Sequence, residues 1–560
     1  MKKWWKKNSF LLLIITILCG IMFYWNTQKQ GFHEDEIFSY GSSNYKYDNV
    51  FRNYGYAQAN FDYFWNNCWT GSLSNRLTKS LNYIKDQDSY KNDYNETLAK
   101  EIPIWKTKED AHNYLSIQSS DILNYLSVWL NQSSDVHPPM FYNAMHLTSS
   151  IFFNHFTKYI GFMLNIIFFI GTLCGIYQIM IRLTNKKWAY ASIIFYGGSM
   201  GAISTVMFHR MYMMLTFFSV WYLYYALKFF KKNDNFSKKD KILWGIIIFC
   251  GFLTQYYFCI YVVLIFLILF FNYMKKKNWK MIQKVFLNHA IPAFLGILFF
   301  PASIYHIFFS YRGLGASQEH TKTLLENIFY YLKAILSSYN ISLILLIIIT
   351  ITTLFYFLKK KQKITLEKLP LMLCSLPILI FILIVSKIAP FLGENYTSRY
   401  IMLLYPIISV TIIYLISNIW KQKYSYPITL TIILLLVGTG LFTNQPTYLY
   451  NDYKEALNLA KENATKPFIY IYDNYFTHLN SLPEFATYEK SLIINHNIYD
   501  FSQLKKDETL KNQKEVILCI KNWIDKDLMI EKIKTNTNFK NVEQILYLNS
   551  DVESTYYRLT

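Results

Sequence analysis

The sequence predicts a polytopic α-helical membrane protein of about eleven transmembrane helices, ending in a small extracytoplasmic α/β domain. Three observations carry this. Of 560 residues, 53% are hydrophobic and 19% aromatic, a composition that suits a membrane bundle with a soluble portion attached. Long apolar runs are separated by short lysine-rich loops. Beyond residue 443 the runs shrink to strand length and alternate with polar, helix-like stretches.

The first run, Ser9 to Trp25, follows Lys2, Lys3, Lys6 and Lys7, which keeps its amino end in the cytosol and sends its far end outward. It reads as a retained anchor over 1–25, because Met22-Phe23-Tyr24-Trp25 is too bulky for a signal-peptide cleavage site. A large extracytoplasmic loop follows over 26–158. Within it, Ala111 to Asn131 carries a helical apolar pattern that suits an amphipathic segment on the membrane and a packed helix of a soluble insert equally well. Met140 to Phe153 is taken as an interfacial or re-entrant helix, since counting it as a span would upset the charge pattern.

The bundle occupies 159–443. Outward-to-inward runs are Tyr159 to Ile181, Met211 to Phe230, Ile260 to Tyr273, Ile341 to Leu358 and Ile401 to Trp420; return runs are Ala189 to Phe208, Ile242 to Phe258, Ala290 to Phe309, Leu371 to Ser386 and Ile428 to Leu441. The inner loops hold the positive charge: Arg182, Lys186 and Lys187; Lys228 to Lys241; Lys275 to Lys284; Lys359 to Lys368; Lys421 and Lys423. That placement accounts for the net charge of +20 and excludes nucleic acid as its partner; the bilayer is what these loops meet. The domain over 444–560 has strand-like runs at Phe468 to Tyr472, Leu492 to Asn495, Val516 to Ile520, Ile545 to Leu548 and Thr555 to Leu559, with helix-like stretches at Asp452 to Glu462 and Trp523 to Lys534. It has no glycine-rich phosphate loop and no metal-ligand spacing, so its expected role is support or acceptor recognition. Of seven cysteines, Cys68 and Cys519 fall outside, and the sequence leaves their pairing open.

Chemistry collects on the outer side. His33, Glu34, Asp35 and Glu36 follow the first span, where a carboxylate is placed to take a proton from a hydroxyl. Asp135, His137, Pro138 and Pro139 precede Met140; His209, Arg210 and Tyr212 lie where two spans meet; Thr254, Gln255 and Tyr256 end another; Lys387, Glu394, Arg399 and Tyr400 flank the last outer turn. Arginine at an outward span end opposes the orienting charge bias and points to an anionic partner, a phosphate or an acidic residue such as Glu394 or Asp135.

The Asp35-Glu36 pair after span one, His137-Pro138-Pro139 before an apolar helix, Arg210-x-Tyr212, and Arg399-Tyr400 followed by Pro406 together resemble glycosyltransferase family 39 and its bacterial relatives. These belong to the GT-C class, with the protein O-mannosyltransferases and the aminoarabinose transferases. The resemblance spans roughly the first 440 residues. It implies a membrane glycosyltransferase in the cell envelope that takes sugar from a polyprenyl-phosphate donor and delivers it to a protein, glycolipid or wall-polymer acceptor. Asp35 takes the catalytic carboxylate position, with Glu36 beside it. His137, His209, Arg210, Tyr212, Lys387, Arg399 and Tyr400 are the expected substrate-binding residues. No cofactor is required by this reading; a divalent metal held by His33, Glu34 and Asp35 stays open. A transporter or flippase, or a non-enzymatic envelope assembly protein, are the competing classes. Against transport, no Asp or Glu interrupts a run centre.

Overall fold

The computed structural model describes residues 2–45, 68, 70–85, 105–232, 236–309, 323–342, 367–389, 397–420, 424–473, 477–549 and 552–560. Glu394, Lys421, Lys423, most of the Ile341 to Leu358 run and the basic loop after it lie outside the described residues. The chain divides into two compact units. The first comprises Met1–Asn26, Val136–Phe141 and Phe162–Thr447; the second comprises Thr27–Asp135, Tyr142–Gly161 and Tyr448–Thr560.

The protein is a multi-pass membrane protein. Eight helices among the described residues are long and apolar enough to cross a bilayer: Asn8–Gln28, Lys158–Leu183, Tyr212–Lys231, Tyr257–Lys275, Trp279–Phe299, Lys368–Ile388, Thr397–Ile419 and Ser425–Thr443. Each corresponds to one predicted run. Two other predicted runs are helical but shorter. Ala189 to Phe208 is split into Lys186–Gly197 and Met200–Met207, because Gly198 and Ser199 break the first helix and the Ser199 hydroxyl caps the second. Ile242 to Phe258 becomes Lys238–Phe252, 15 residues long, ending before Thr254. The run predicted from Ala290 to Phe309 instead begins at Trp279 and ends at Phe299, followed after Pro301 by a short helix, Ala302–Phe308. Lys280 and Lys284 suggested a loop, but long ammonium side chains near a helix end reach the headgroups while the helix continues.

Tyr212–Lys231 and Thr397–Ile419 are the most enclosed spans, 78% buried each, against 17% for Ser425–Thr443; the first two sit inside the bundle and the last lies on its outside. Gly171 and Gly175, four apart, let the Lys158–Leu183 helix approach Tyr212–Lys232: a Cβ at either would stand 2.5 to 2.6 Å from Phe217 or Val220, and Trp221 donates its indole N–H to the Gly171 carbonyl at 3.0 Å. His289 ties three helices together, its Nε2 2.7 Å from the Tyr222 hydroxyl, which also reaches the Val262 carbonyl at 3.1 Å.

The second unit is built on a six-stranded mixed sheet of order β1-β3-β2-β4-β6-β5, with β1 Trp105–Thr107, β2 Phe468–Tyr472, β3 Lys490–Asn495, β4 Val516–Lys521, β5 Val542–Leu548 and β6 Ser554–Leu559. β3, β2 and β4 run parallel; β1, β6 and β5 pair antiparallel. All five strands predicted in the tail are present. β1 comes from the first extracytoplasmic loop, so two stretches separated by the whole bundle share one sheet. Cys68 and Cys519 are both buried free thiols.

Side-chain alternation gives the sheet two faces. On one, Ile469, Ile471, Leu492, Ile494, Val516, Leu518 and Ile520 pack with Met529 and Ile533 of the Lys526–Asn536 helix. The other is aromatic and polar: Tyr470 and Phe468 lie against Phe485, and Glu484, with no exposed surface, accepts from the Tyr556 hydroxyl at 3.0 and 3.2 Å. Burial pushes the Glu484 carboxyl from 4.5 up to about 7 against the opposing pull of Tyr556, Lys521, Ser481 and Tyr453. Lys521, equally buried, is pushed down by the same desolvation while its Nζ donates to the Val552 carbonyl at 2.8 Å.

Between pH 4.5 and about 7 the folded state keeps a proton on Glu484 that the unfolded chain has released. Stability of this sheet therefore falls as pH rises through that window and levels off above it, while the depressed Lys521 acts with opposite sign at more alkaline pH. Glu484→Gln should flatten this slope and slow amide exchange in β2 and β4 at pH 8, by an amount on the order of 1–3 kcal/mol, with little effect near pH 4.

Candidate active site

In the second unit the acidic motif forms the start of a helix, Glu34–Asn44. Its first turn carries Glu34, Asp35 and Glu36, where the helix dipole favours negative charge. His33 is the N-cap, its Nδ1 accepting the Asp35 N–H at 3.0 Å, and the Glu36 Oε2 accepts the His33 N–H at 2.7 Å, completing a capping box. His33 Nδ1 also lies 3.6 Å from Asp35 Oδ2, an ion pair only if that nitrogen is protonated. The cap uses the lone pair of Nδ1, which only a ring without a proton on that nitrogen offers.

The two acids of the Asp-Glu pair have different surroundings. Glu36 is fully enclosed and bonded to Lys29, Oε2 to Nζ 2.9 Å, with no exposed side-chain surface on either partner. The Asp35 side chain keeps 23% of its surface. The rest of the helix is fixed from three directions. Asn44 donates to the Leu115 carbonyl at 2.7 Å, Asn131 to the Ser42 carbonyl at 3.0 Å, and His146 Nδ1 lies 2.6 Å from the Ser43 carbonyl. Gly41 lies flat on Tyr114, so close that a Cβ would fall 2.1 Å from the ring.

Asn131 and His146 were not read as site-supporting residues in the sequence. The predicted amphipathic segment Ala111 to Asn131 is instead two helices, Lys108–Leu115 and Tyr125–Ser133, separated by a turn with Leu123 at φ 59°. Ile122, Leu123, Tyr125 and Leu126 remain exposed beside it. Met140–Ile151 has 12 residues, about 18 Å, too short to span.

The first unit holds His137, His209, Arg210, Tyr212, Lys387, Arg399 and Tyr400. Pro138 and Pro139 deliver the chain into the Met140–Ile151 helix, whose first N–H donates to the Leu253 carbonyl at 2.9 Å. Arg210 is 3% exposed, with Nη2 3.5 Å from His137 Nε2. The turn carrying His209 and Arg210 is set by Asn165, whose amide donates to the Val206 and Phe208 carbonyls at 2.9 and 2.8 Å; an isolated Asn in an apolar run gave no warning of this. Phe208 stacks on Tyr212. Arg399 and Tyr400 stand on a 3-10 run, Thr397–Leu404, with Pro406 in the first turn of the next helix. The Arg399 guanidinium lies 5.4 Å from the Tyr400 ring, which packs at 5.3 Å on Tyr257, while Tyr331 is also within its field. Tyr256 OH meets His306 Nδ1 at 2.9 Å, and Lys387 is exposed on the last turn of Lys368–Ile388. Among the described residues no three His, Cys, Asp or Glu side chains converge as a metal site.

A bundle of apolar helices and a small mixed sheet in one chain have a counterpart among solved structures. The crystal structure of ArnT from Cupriavidus metallidurans bound to undecaprenyl phosphate overlays on 98% of this chain and 98% of its own, with TM-score 0.53 and 9% sequence identity. An oligosaccharyltransferase of Archaeoglobus fulgidus in complex with zinc and sulfate overlaps 69% of this chain and 59% of its own at TM-score 0.38 and 12% identity; the fold assignment rests on the former. Neither the protein-family models nor the curated proteins match this sequence.

The His33 cap yields a direct expectation. Asn is an equally good cap, so His33→Asn should preserve protection of the Asp35 amide in hydrogen exchange, whereas His33→Ala should lose about 1 kcal/mol of it.

Proposed function

We propose that this protein is an inverting glycosyltransferase that moves a sugar from a polyprenyl-phosphate donor to a hydroxyl of an extracytoplasmic acceptor. The observation that carries the proposal is the fold overlap along nearly the whole chain with ArnT, a protein crystallised on undecaprenyl phosphate. The amino terminus lies in the cytosol and the acidic helix and sheet domain outside, as the lysine-rich inner loops require.

In this reading the acceptor hydroxyl gives its proton to the Asp35 carboxylate as its oxygen attacks the anomeric carbon from the face opposite the leaving group. The bond between that carbon and the phosphate oxygen breaks, its electron pair leaving on polyprenyl phosphate. One carboxylate acting as base, with no covalent sugar intermediate, gives inversion. Departure is favoured by cations on the phosphate, for which Arg399 is the first candidate and Arg210 and Lys387 the next. His137 meets the Arg210 side chain, and Tyr400 borders the Arg399 guanidinium. The reading requires no metal and no nucleotide; its acceptor is a protein, glycolipid or wall polymer.

Asp35→Asn should lower transfer from a polyprenyl-phosphate sugar in washed membranes by about a hundredfold or more, with unchanged abundance. Normal turnover by that variant would overturn the assignment. Arg399→Ala should chiefly raise the donor KM, and Arg399→Lys should restore it only in part, because an ammonium does not reproduce the bidentate guanidinium contact. An unchanged donor KM in both would remove Arg399 from the donor site.

A further inference from the structure

We infer that Glu36 and Lys29 are positioning residues: their buried ion pair, anchored on the Tyr448 carbonyl at the root of the carboxyl-terminal segment, holds the turn that presents Asp35. This rests on the proposed role of Asp35 as base and gives the carboxyl-terminal domain a function of its own, that of a brace for the acidic turn.

Four observations converge on it. First, neither Lys29 nor Glu36 has exposed side-chain surface, so an acceptor hydroxyl has no approach to the Glu36 carboxylate. Its Oε2 is occupied by the Lys29 ammonium at 2.9 Å and by the His33 N–H at 2.7 Å. Second, the Lys29 ammonium also donates to the Tyr448 carbonyl at 2.6 Å and lies over the rings of Phe32 and Tyr450, 5.2 and 5.6 Å from their centroids. Third, the backbone on both sides is tied in the same way: Gln30 and Gly31 donate to the Leu449 carbonyl, and Lys158 donates to the carbonyls of Thr27 and Lys29. Gly31 permits this approach, since a Cβ there would lie 2.9 Å from Tyr450 and Tyr453. Fourth, Tyr448 and Tyr450 both hold left-handed backbone, φ 70° and 52°, an arrangement that residues with a Cβ avoid. That strain turns the carbonyls of Tyr448 and Leu449 toward Lys29 and Gly31, and it persists only because the surrounding bonds enforce it.

A buried ion pair is seldom the most stable filling for its space; what it supplies is registry, because each charge tolerates one partner in one place. Here the registry fixes the residue adjoining Asp35. The two carboxylates of the Asp-Glu pair thereby divide the work: the partly exposed one meets substrate and the enclosed one orients it.

The test uses the full-length protein. Lys29→Met and Glu36→Gln should each lower kcat by about tenfold or more while donor KM stays within about twofold, since an orphaned buried charge disturbs the turn without touching the donor. Lys29→Met/Glu36→Leu removes both charges and with them the registry, so its kcat should stay as low as that of either single variant rather than fall by the product of the two losses, while Lys29→Arg, which keeps the pair, should recover most of the kcat that Lys29→Met loses. A second readout is independent of transfer. In detergent-solubilised protein carrying Asp35→Cys, the rate of maleimide labelling should rise several-fold on adding Lys29→Met, Glu36→Gln or both, and stay near its starting value on adding Lys29→Arg. Labelling that follows this pattern with no sugar transfer by the unmodified protein would keep the positioning role and remove the glycosyltransferase reading. A double variant that folds with the kcat of the unmodified protein, or labelling rates indifferent to the pair, would overturn the inference. If the single variants fail to accumulate, the double variant, which leaves no orphaned charge, is read in their place, and there too an unchanged kcat and labelling rate would overturn it.

Discussion

An ammonium and a carboxylate shut away from water must find each other, and in this protein Lys29 and Glu36 do so at the place where three segments meet. Lys29 follows the first span, Glu36 opens the acidic helix, and Tyr448, whose carbonyl takes a further bond from Lys29, follows the last span. Charges left in a medium of low dielectric constant are penalised by several kcal/mol each. That penalty makes the pairing obligatory, and the pairing sets the path of the chain from residue 27 to residue 36.

The same economy of charge explains how the acidic turn is arranged. Three carboxylates in succession would repel one another, yet each is met differently. Glu36 has Lys29, Glu34 lies within the field of Lys521, and Asp35 keeps partial exposure beside the histidine that caps its helix. The helix N-terminus adds its own positive potential. A carboxylate in such surroundings is both accessible and fixed in place, which is what the role proposed for Asp35 needs. In the membrane unit the corresponding device is aromatic and amide packing: Asn165 fixes the turn before Arg210, and the Arg399 guanidinium lies by the Tyr400 ring, which packs on Tyr257. Guanidinium groups among rings are less hydrated than in water, which suits the phosphate contact proposed for them.

Much of this fold was legible because lipid imposes a harsh filter on sequence. Runs without charge must be helices, and lysine loops mark one side. The filter misplaced one helix by about ten residues, at Trp279–Phe299, because Lys280 and Lys284 can snorkel. In the tail, β-branched and aromatic clusters such as Phe468 to Tyr472 marked strands, since a pleated half-buried surface selects them. The acidic motif was legible as a cluster but not as geometry: four adjacent residues give no sign of which carboxylate is enclosed. β1 was not legible at all, as a three-residue edge strand leaves too short a pattern to register.

The sequence by itself determined the membrane class, most of the helical runs and the tail strands, because each follows from local composition and periodicity within one segment. Tertiary structure alone decided that Lys29 meets Glu36 and the Tyr448 carbonyl 419 residues away, that Trp105 joins the tail's sheet through Leu492, and that Asp35 rather than Glu36 keeps access to solvent. Those outcomes depend on pairings between distant segments, and the energy of such a pairing resides in burial, which no window of sequence contains.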